Sequence, residues 1–561
     1  MSEPRIVIIG GVAAGPKVAA RARRLVPNAD ITIIEKDSYI SYAGCGMPFY
    51  LAGSVREFGH LFTTSYGVPR DEQYFMREKG VLVLTGNEAL EIDRDKKEVL
   101  SRNLATGETS RIPYDKLVIA TGSTPFIPPL EGINLKGVFR LNHPEDAKKI
   151  KENINNVSEA VVIGAGLIGM EAADAFREKK IFVTVVELKD QILPGLLDKD
   201  MADVLTLRLE EQGMEFRLGQ KVMGIKGDDQ GNVTGVVTEK ETLDAQMVIV
   251  AVGVRPNVDL ARKCGLKIGQ TGAIEVNQYL QTNDPDIYAV GDCVETMHLV
   301  SKRKVYIPLA STANRQGRVA GDNVTGRKSV FPGVLGTAIL KVLNWNSGKT
   351  GLGQQQAEEL GYNVITVVNS AHDRTHYHPS HGLVIMKMIV DRESQKILGA
   401  QAIGPGDVSK RIDVVATAIH FGSTVEDFAG IDLGYAPPFS TPIDLTHHTA
   451  NIVRNKLEGL APSVTAGELK EKLDGSDDFI IVDVRTAQQF APKHIEDDRV
   501  MLVTLGDIRD RINEIPRDKE IVLLCAMGVR SYEALRILHG AGFKDIKYME
   551  GGLQAWPYDL D

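Results

Sequence analysis

Two stretches of this 561-residue chain carry glycines at the spacing that cradles a pyrophosphate. Gly164, Gly166 and Gly169 follow the apolar run Ala160-Val-Val-Ile163 and lead into a small-residue stretch. In such a loop the first glycine permits a tight turn, and the second lets backbone amides approach the phosphates. The third lets helix and strand pack closely. The earlier loop is less complete: Gly10 and Gly15 fit, but Val12 stands at the second position. Each loop is followed by an apolar run ending in an acid, Glu35 and Glu187. A carboxylate there is placed to bind ribose hydroxyls, and at Glu187 it would repel a 2'-phosphate, which favours NADH over NADPH. One glycine fingerprint is a weak signal. Two in one chain, each with its acid, predict two dinucleotide sites.

The four cysteines, Cys45, Cys264, Cys293 and Cys525, are scattered, with no CxxC pair, so neither a disulfide framework nor a zinc knuckle is indicated. Each is weighed as a lone thiol. Cys525 ends an apolar run and opens Cys525-Ala-Met-Gly528-Val-Arg530. This resembles the CxxGxR active loop of the rhodanese family, which implies successive backbone amides aimed at the sulfur, lowering its pKa and stabilising a persulfide anion, with Arg530 adding positive charge. Cys264 and Cys293 are expected to be structural.

These residues need parallel sheets to position them. Both glycine loops read as the turn of a βαβ unit, with second strands at Ile31–Glu35 and Phe182–Glu187. Three further strand-glycine segments end at Gly122, Gly253 and Gly291-Asp292, the last ahead of a helix around Asn314–Asp322. From about Pro332 to Asn455 the pattern turns to mixed strands and helices, and polar Asn455–Ser463 is expected to be a linker. The last hundred residues form their own small α/β pattern: a helix near Ala466–Leu473, strands Phe479–Val484 and Ile521–Cys525, and a helix from Ser531. Length alone calls for three or four domains. A net charge of -9 argues against nucleic acid or an anionic membrane as partner. No apolar run approaches the ~20 residues of a membrane span. The strand beginning at Arg5 leaves no room for a signal peptide, so a reducing, cytoplasmic setting is expected.

Over Arg5 to Asn455 these motifs resemble the pyridine nucleotide-disulfide oxidoreductase family. Ser41-Tyr-Ala-Gly-Cys45-Gly-Met-Pro-Phe-Tyr50 resembles its single-cysteine branch of coenzyme A-disulfide reductases, persulfide and polysulfide reductases, NADH oxidases and peroxidases. The resemblance continues through Pro308–Arg318, Lys410-Arg-Ile-Asp413 and Tyr435-Ala-Pro-Pro-Phe439. It implies FAD and NAD(P)H as cofactors, with Lys36, Thr121, Gly122, Gly253, Gly291, Asp292 and Ala310 joining the loop residues in binding them; Asp292 would accept a hydrogen bond from the flavin's ribityl chain. It implies Cys45 as the redox thiol and a homodimer in which Tyr435 acts in trans. Relatives show Tyr-Tyr-Pro where this chain has Tyr377-His378-Pro379, which makes Tyr377 a catalytic candidate. Oxidases of the branch carry a histidine in the first glycine loop, and none is present here.

The C-terminal segment resembles a single-domain rhodanese, through Asp483-Val-Arg485 and the Cys525–Arg530 loop, although Lys493 stands where relatives show glycine. Ser41 and Arg24 match the coenzyme A contacts of coenzyme A-disulfide reductases. Gly44 replaces their usual asparagine, and Ile443 a lysine that helps bind coenzyme A. Losing that cation favours a smaller sulfur substrate. Four histidines crowd His372–His381, where a loop moving protons beside the sulfur pocket is favoured over a metal site. His447 and His448 are weaker acid-base candidates.

The expected fold class is α/β: two Rossmann-like dinucleotide-binding domains (FAD at 1–122 and 250–328, NAD(P)H at 123–249), an α+β dimerisation domain (329–455) and a rhodanese-like α/β domain (464–561). The expected function is NADH-dependent reduction of persulfide, polysulfide or disulfide through Cys45, with Cys525 carrying sulfane sulfur. A coenzyme A-disulfide reductase, an NADH oxidase or peroxidase, and a non-enzymatic redox sensor or sulfur carrier are the alternatives.

Overall fold

The computed structural model describes residues 4–560. The chain divides into two compact units, one of residues 1–188 and 220–334 and the other of residues 189–219 and 335–561.

The first unit contains two parallel sheets. In one, strands Ile287–Ala289, Lys116–Ile119, Arg5–Ile9, Asp30–Ile34 and Leu82–Leu84 lie side by side, with Ile6 opposite Ile31 and Ile8 opposite Ile33. Unbroken β-branched runs such as Ile-Val-Ile-Ile suit strands covered on both faces, and Ile6, Ile8 and Ile33 are wholly buried. The helix Ala14–Leu25 turns its alanines inward, and the helix Ala310–Asn323 packs on it; Gly317 and Gly321 admit the close approach of Lys17 and Arg21. The other sheet repeats the plan with Phe182–Val186, Glu159–Ile163, Met247–Val250 and Val138–Phe139, all parallel. Its helix, Leu167–Glu178, follows the second glycine loop. Strands Ser123–Pro125 and Val254–Pro256 pair antiparallel, directly after Gly122 and Gly253.

In the second unit, strands Ala338–Val342, Trp345–Gly351, Ile397–Gly404, Leu383–Asp391 and Val364–His372 form an antiparallel sheet under the helices Val408–His420 and Leu445–Leu457. Lys387 is buried in this sheet and neutralised by Asp198 at 3.1 Å and Asp200 at 2.7 Å, which anchors residues 189–219 to it. A second, parallel sheet orders Ser463–Val464, Ile546–Met549, Glu520–Leu524, Phe479–Asp483 and Val500–Leu502.

The expected linker is shorter than its composition suggested. Asn455, Lys456 and Leu457 continue the helix Leu445–Leu457. Asn455 donates to the Tyr532 hydroxyl at 3.2 Å, and Lys456 pairs with buried Glu550. Glu550 also accepts from the Val368 amide at 2.8 Å and from Ser463 Oγ at 2.6 Å. Val368 lies on an edge strand, so this carboxylate satisfies a backbone donor that would otherwise lack a sheet partner.

Candidate active site

The two glycine loops are built alike. A side-chain carbon at Gly10 would lie 2.1 Å from the Ala120 carbonyl oxygen, and one at Gly164 would lie 2.5 Å from that of Ala251. One at Gly15 or Gly169 would strike the carbonyl of the loop's own first glycine, at 2.0 and 1.9 Å. Gly166, by contrast, faces open space, the position at which a pyrophosphate would approach. Each acid turns into its loop: Glu35 accepts from the Gly11 amide at 2.6 Å, and Glu187 from the Ala165 amide at 2.8 Å. Burial pushes the Glu35 carboxyl up, against the two backbone amides (Asp37 and Gly11) that favour its charge.

The other residues expected to bind the cofactors lie mostly in loops that follow parallel strands of the two sheets. Asp292 is desolvated, which raises its pKa, and it accepts one long bond from Ser123 Oγ at 3.4 Å, leaving acceptor capacity for a ligand. The helix Ala310–Asn323 begins without a side-chain cap and with no acid in its first turn, so its leading amides, at Ala310 onward, are open to an acceptor. Thr121 and Asn257 bond reciprocally, at 2.7 and 2.8 Å, behind Gly122. Gly122 and Gly253 have free space around them, and Lys36 is exposed next to Glu35. These residues fit two dinucleotides.

Cys45 occupies a single 3-10 turn, Gly44–Gly46, immediately ahead of the short helix Met47–Ala52. The Ala43 amide donates to the Leu61 carbonyl at 2.8 Å, and a side chain at Gly46 would strike Leu61, so the Phe58–Phe62 segment lies against this turn. Ser41 adopts a left-handed backbone (φ 53°), and its amide donates to the Gly11 carbonyl at 2.7 Å, coupling the cysteine segment to the first glycine loop. Desolvation pushes the Cys45 thiol up, and the carboxylates of Glu171 and Asp292 add to the effect. Glu171 was not anticipated from the sequence. It sits two residues past Gly169 on the helix packed against Met47–Ala52, and burial with Asp174 nearby pushes its carboxyl up to about 7. Arg24 lies exposed at the end of its helix, its Nε on the Ala20 carbonyl.

In the second unit Tyr377 and Tyr435 come together: both are exposed, and the nearby Tyr377 hydroxyl raises the pKa of Tyr435. Their loops are tied by wholly buried Arg411, which donates to the Asp373 carbonyl and to Asp444 at 2.8 Å. Phe439 and Ile443 are also exposed, and Ile443 brings no charge. The His372 and His381 rings meet edge to face at 4.7 Å, but the four histidines of this loop do not form a metal-binding group among the described residues.

Cys525 is buried, and its sulfur accepts from the Gly528 amide at 3.1 Å and lies 3.4 Å from Ser531 Oγ. Gly551 and Gly552 press on the loop from outside: the Leu553 and Gln554 amides donate to the carbonyls of Cys525 and Ala526. Arg530 is half-buried, with no hydrogen bond or ion pair among the described residues, so its charge is available to an anion. Asp483 and Arg485 form a buried pair at 2.7 Å. Lys493 faces Glu211 at 3.8 Å, both exposed, so the departure from glycine is accommodated at the surface. Cys293 is buried, and Cys264 half-buried; each donates to a backbone carbonyl at 3.2 Å, as structural thiols would.

Parallel sheets with twin glycine loops, a lone thiol beside the first and a cysteine loop in a separate sheet define a two-dinucleotide thiol oxidoreductase with a sulfur-transfer module. The chain belongs to the pyridine nucleotide-disulphide oxidoreductase family, whose model matches residues 4–317; the family's dimerisation domain matches 337–445 and a rhodanese-like domain 465–558. It is therefore an oxidoreductase of a family that uses FAD and NAD(P)H. It is 38% identical over 438 residues, 78% of this chain and 95% of the relative, to a Pyrococcus horikoshii protein named NAD(P)H coenzyme A polysulfide/persulfide reductase. The fold matches the structure of a NAD-dependent persulfide reductase from A. fulgidus with a TM-score of 0.94, at 43% identity, covering 98% of this chain and all of that one. It matches reduced Bacillus anthracis CoADR-RHD with a TM-score of 0.91, at 33% identity, covering 99% and 98%.

Proposed function

We propose that this enzyme reduces persulfide and polysulfide sulfur with electrons from NADH. The reading is carried by Cys45, which stands alone in a glycine-flanked turn with no second cysteine in its segment to close an internal disulfide. Such a thiol must take its sulfur partner from substrate. As the thiolate it attacks a sulfane sulfur, the substrate S–S bond breaks, and the sulfur is held on Cys45 while the substrate thiolate leaves. FAD and NAD(P)H, when bound, supply the electron pair that returns Cys45 to the thiolate and releases hydrosulfide. The chain's part is to bind and orient: Glu35 and Glu187 on the ribose hydroxyls, the loop amides on the phosphates, Asp292 and the start of the Ala310–Asn323 helix on the flavin. Glu187 favours NADH, since its carboxylate would face the 2'-phosphate of NADPH.

Cys525 would accept sulfane sulfur as a persulfide, supported by the Gly528 amide and Arg530, and deliver it towards Cys45. The matched dimerisation domain and the exposed Tyr377, Tyr435 and Phe439 support a homodimer in which these tyrosines serve the partner's cysteine. Coenzyme A disulfide is the second candidate substrate, favoured by Ser41 and Arg24 and opposed by Ile443.

The test is anaerobic NADH oxidation with polysulfide, a small-molecule persulfide and coenzyme A disulfide, each with Cys45→Ser and Cys525→Ser. Persulfide or polysulfide should turn over fastest and depend on Cys45. Full turnover by Cys45→Ser rejects the mechanism; preference for coenzyme A disulfide assigns the enzyme to thiol-pool maintenance.

A further inference from the structure

The helix Met47–Ala52, directly after Cys45, is six residues long, too short to hold its shape alone. Its last carbonyls need outside donors. Lys151 provides them: its Nζ donates to the carbonyls of Tyr50 and Leu51, each at 2.9 Å, and lies 5.3 Å from the centre of the Tyr50 ring. Lys151 belongs to the helix Pro144–Asn153, which lies in the expected nucleotide domain rather than in the stretch containing Cys45.

The opposite end of the same helix grips the chain ahead of Cys45. His143 caps it, with Nδ1 accepting from the Glu145 amide at 3.2 Å. Its Nε2 lies 2.7 Å from an Asp37 carboxylate oxygen. Glu145 accepts from the Tyr39 hydroxyl. Asp37 and Tyr39 are tied to each other and to the ribose acid: the Tyr39 amide donates to Asp37 at 3.2 Å, and the Asp37 amide to Glu35 at 2.9 Å. Tyr39 also stacks on Phe62 at 4.9 Å, within the segment that covers the cysteine turn.

We propose that the Pro144–Asn153 helix is a bracket that clasps the redox-cysteine segment from both sides, with His143, Glu145 and Lys151 as positioning residues for Cys45. The proposal rests on the reading of Cys45 as the redox thiol. None of the three touches the reacting sulfur; each holds backbone or side chain five to eight residues from it. A 3-10 turn between two glycines has no stiffness of its own, so the angle at which Cys45 presents its sulfur is set by what holds its flanks. Sulfur exchange requires near-linear attack on an S–S bond, so orientation governs the rate of that step while leaving substrate affinity and nucleotide binding nearly untouched.

The experiment compares Lys151→Met, Lys151→Arg and His143→Asn in the holoenzyme, with Cys45→Ser as reference. Methionine keeps the apolar stem of Lys151 without its donors, and arginine restores them. Asparagine can still cap the helix but cannot reach Asp37. Three quantities are read: the rate at which NADH bleaches the bound flavin, steady-state kcat and KM with a small-molecule persulfide, and the rate of iodoacetamide alkylation at Cys45 followed by peptide mass spectrometry. Lys151→Met is expected to lower kcat about 10-fold and to change the alkylation rate, with KM and flavin bleaching within about two-fold of the parent, consistent with a displacement under about 1 Å. Lys151→Arg should recover most of the loss, and His143→Asn should show a smaller loss of the same pattern. Unchanged kcat and alkylation in Lys151→Met overturns the bracket. So does a parallel fall of flavin content, bleaching and kcat that arginine does not rescue, which marks a general structural role. The alkylation arm is independent of the reaction: were Cys45→Ser to keep full turnover, the redox reading would fall, while altered Cys45 alkylation in Lys151→Met would still uphold the bracket.

Discussion

The amide of Gly528 donates to the sulfur of Cys525 across 3.1 Å, from a backbone with φ at 96°. Left-handed geometry of this kind is costly for any residue with a side chain, about 1–3 kcal/mol. Gly528→Ala should therefore either destabilise the loop by about that amount or swing the amide off the sulfur. Sulfur transfer from thiosulfate to cyanide, the simplest assay of a sulfane-carrying cysteine, should fall with it. Arg530→Met leaves the backbone alone and should instead raise KM for the anionic donor about 10-fold, the size of one lost charged contact of roughly 1.5 kcal/mol. An unchanged KM would remove Arg530 from the site.

Glu171 and Asp292 both disfavour the Cys45 thiolate, and Glu171 titrates near 7. Removing its charge with Glu171→Gln should lower the apparent pKa of Cys45 alkylation and speed alkylation at neutral pH. The stability effect has a definite sign. The folded state raises this carboxyl from its ordinary 4.5 to about 7, so it holds the proton more tightly than the unfolded chain. Its contribution is fully present below about 4.5 and is lost as pH rises through about 7. Relative to Glu171→Gln, the parent should lose midpoint temperature over that window and not beyond it. Parallel curves would place Glu171 in ordinary solvent.

Glu187 is paired with the Ala165 amide in its loop, so glutamine at that position keeps an acceptor for the amide while removing the charge. Glu187→Gln should therefore leave flavin and fold intact and shift the kcat/KM ratio of NADPH over NADH upward by about 10-fold, the worth of one charged interaction of roughly 1.5 kcal/mol. A fall for both nucleotides in equal proportion would show that the residue shapes the loop rather than selecting the nucleotide.

What was legible in the sequence is what local pattern determines. Gly164, Gly166 and Gly169 need only their own strand and helix to be recognised, and Glu187 follows from the next strand. The Cys525 loop is likewise written in six consecutive residues. Glu171, His143 and Lys151 were not legible, because their significance comes from segments about a hundred residues away, as in the pairing of Lys151 with Tyr50 and Leu51. The linker at Asn455 misled for the same reason: polar composition reads as loop, whereas the partners that keep Asn455 and Lys456 helical, Tyr532 and Glu550, lie far along the chain.

That last contact yields a further prediction. Glu550 is buried and serves three donors at once: the Val368 amide, Lys456 Nζ and Ser463 Oγ. Alanine there would strand a half-buried ammonium and an edge-strand amide, and breaking a buried pair of this kind costs about 3 kcal/mol. Glutamine keeps an acceptor for Val368 and should cost less. Because Gly551 also presses on Val368 and Ser370, the loss falls on the seam between the two sheets of the second unit rather than on either core. Glu550→Ala should therefore raise hydrogen exchange in Val364–His372 and Leu445–Leu457, leave exchange in the core strand Glu520–Leu524 unchanged, and split one urea transition into two. Persulfide turnover supported by Cys45 alone should survive, while any share that depends on Cys525 should drop. Uniform exchange across both sheets would instead show that Glu550 stabilises the rhodanese-like core itself.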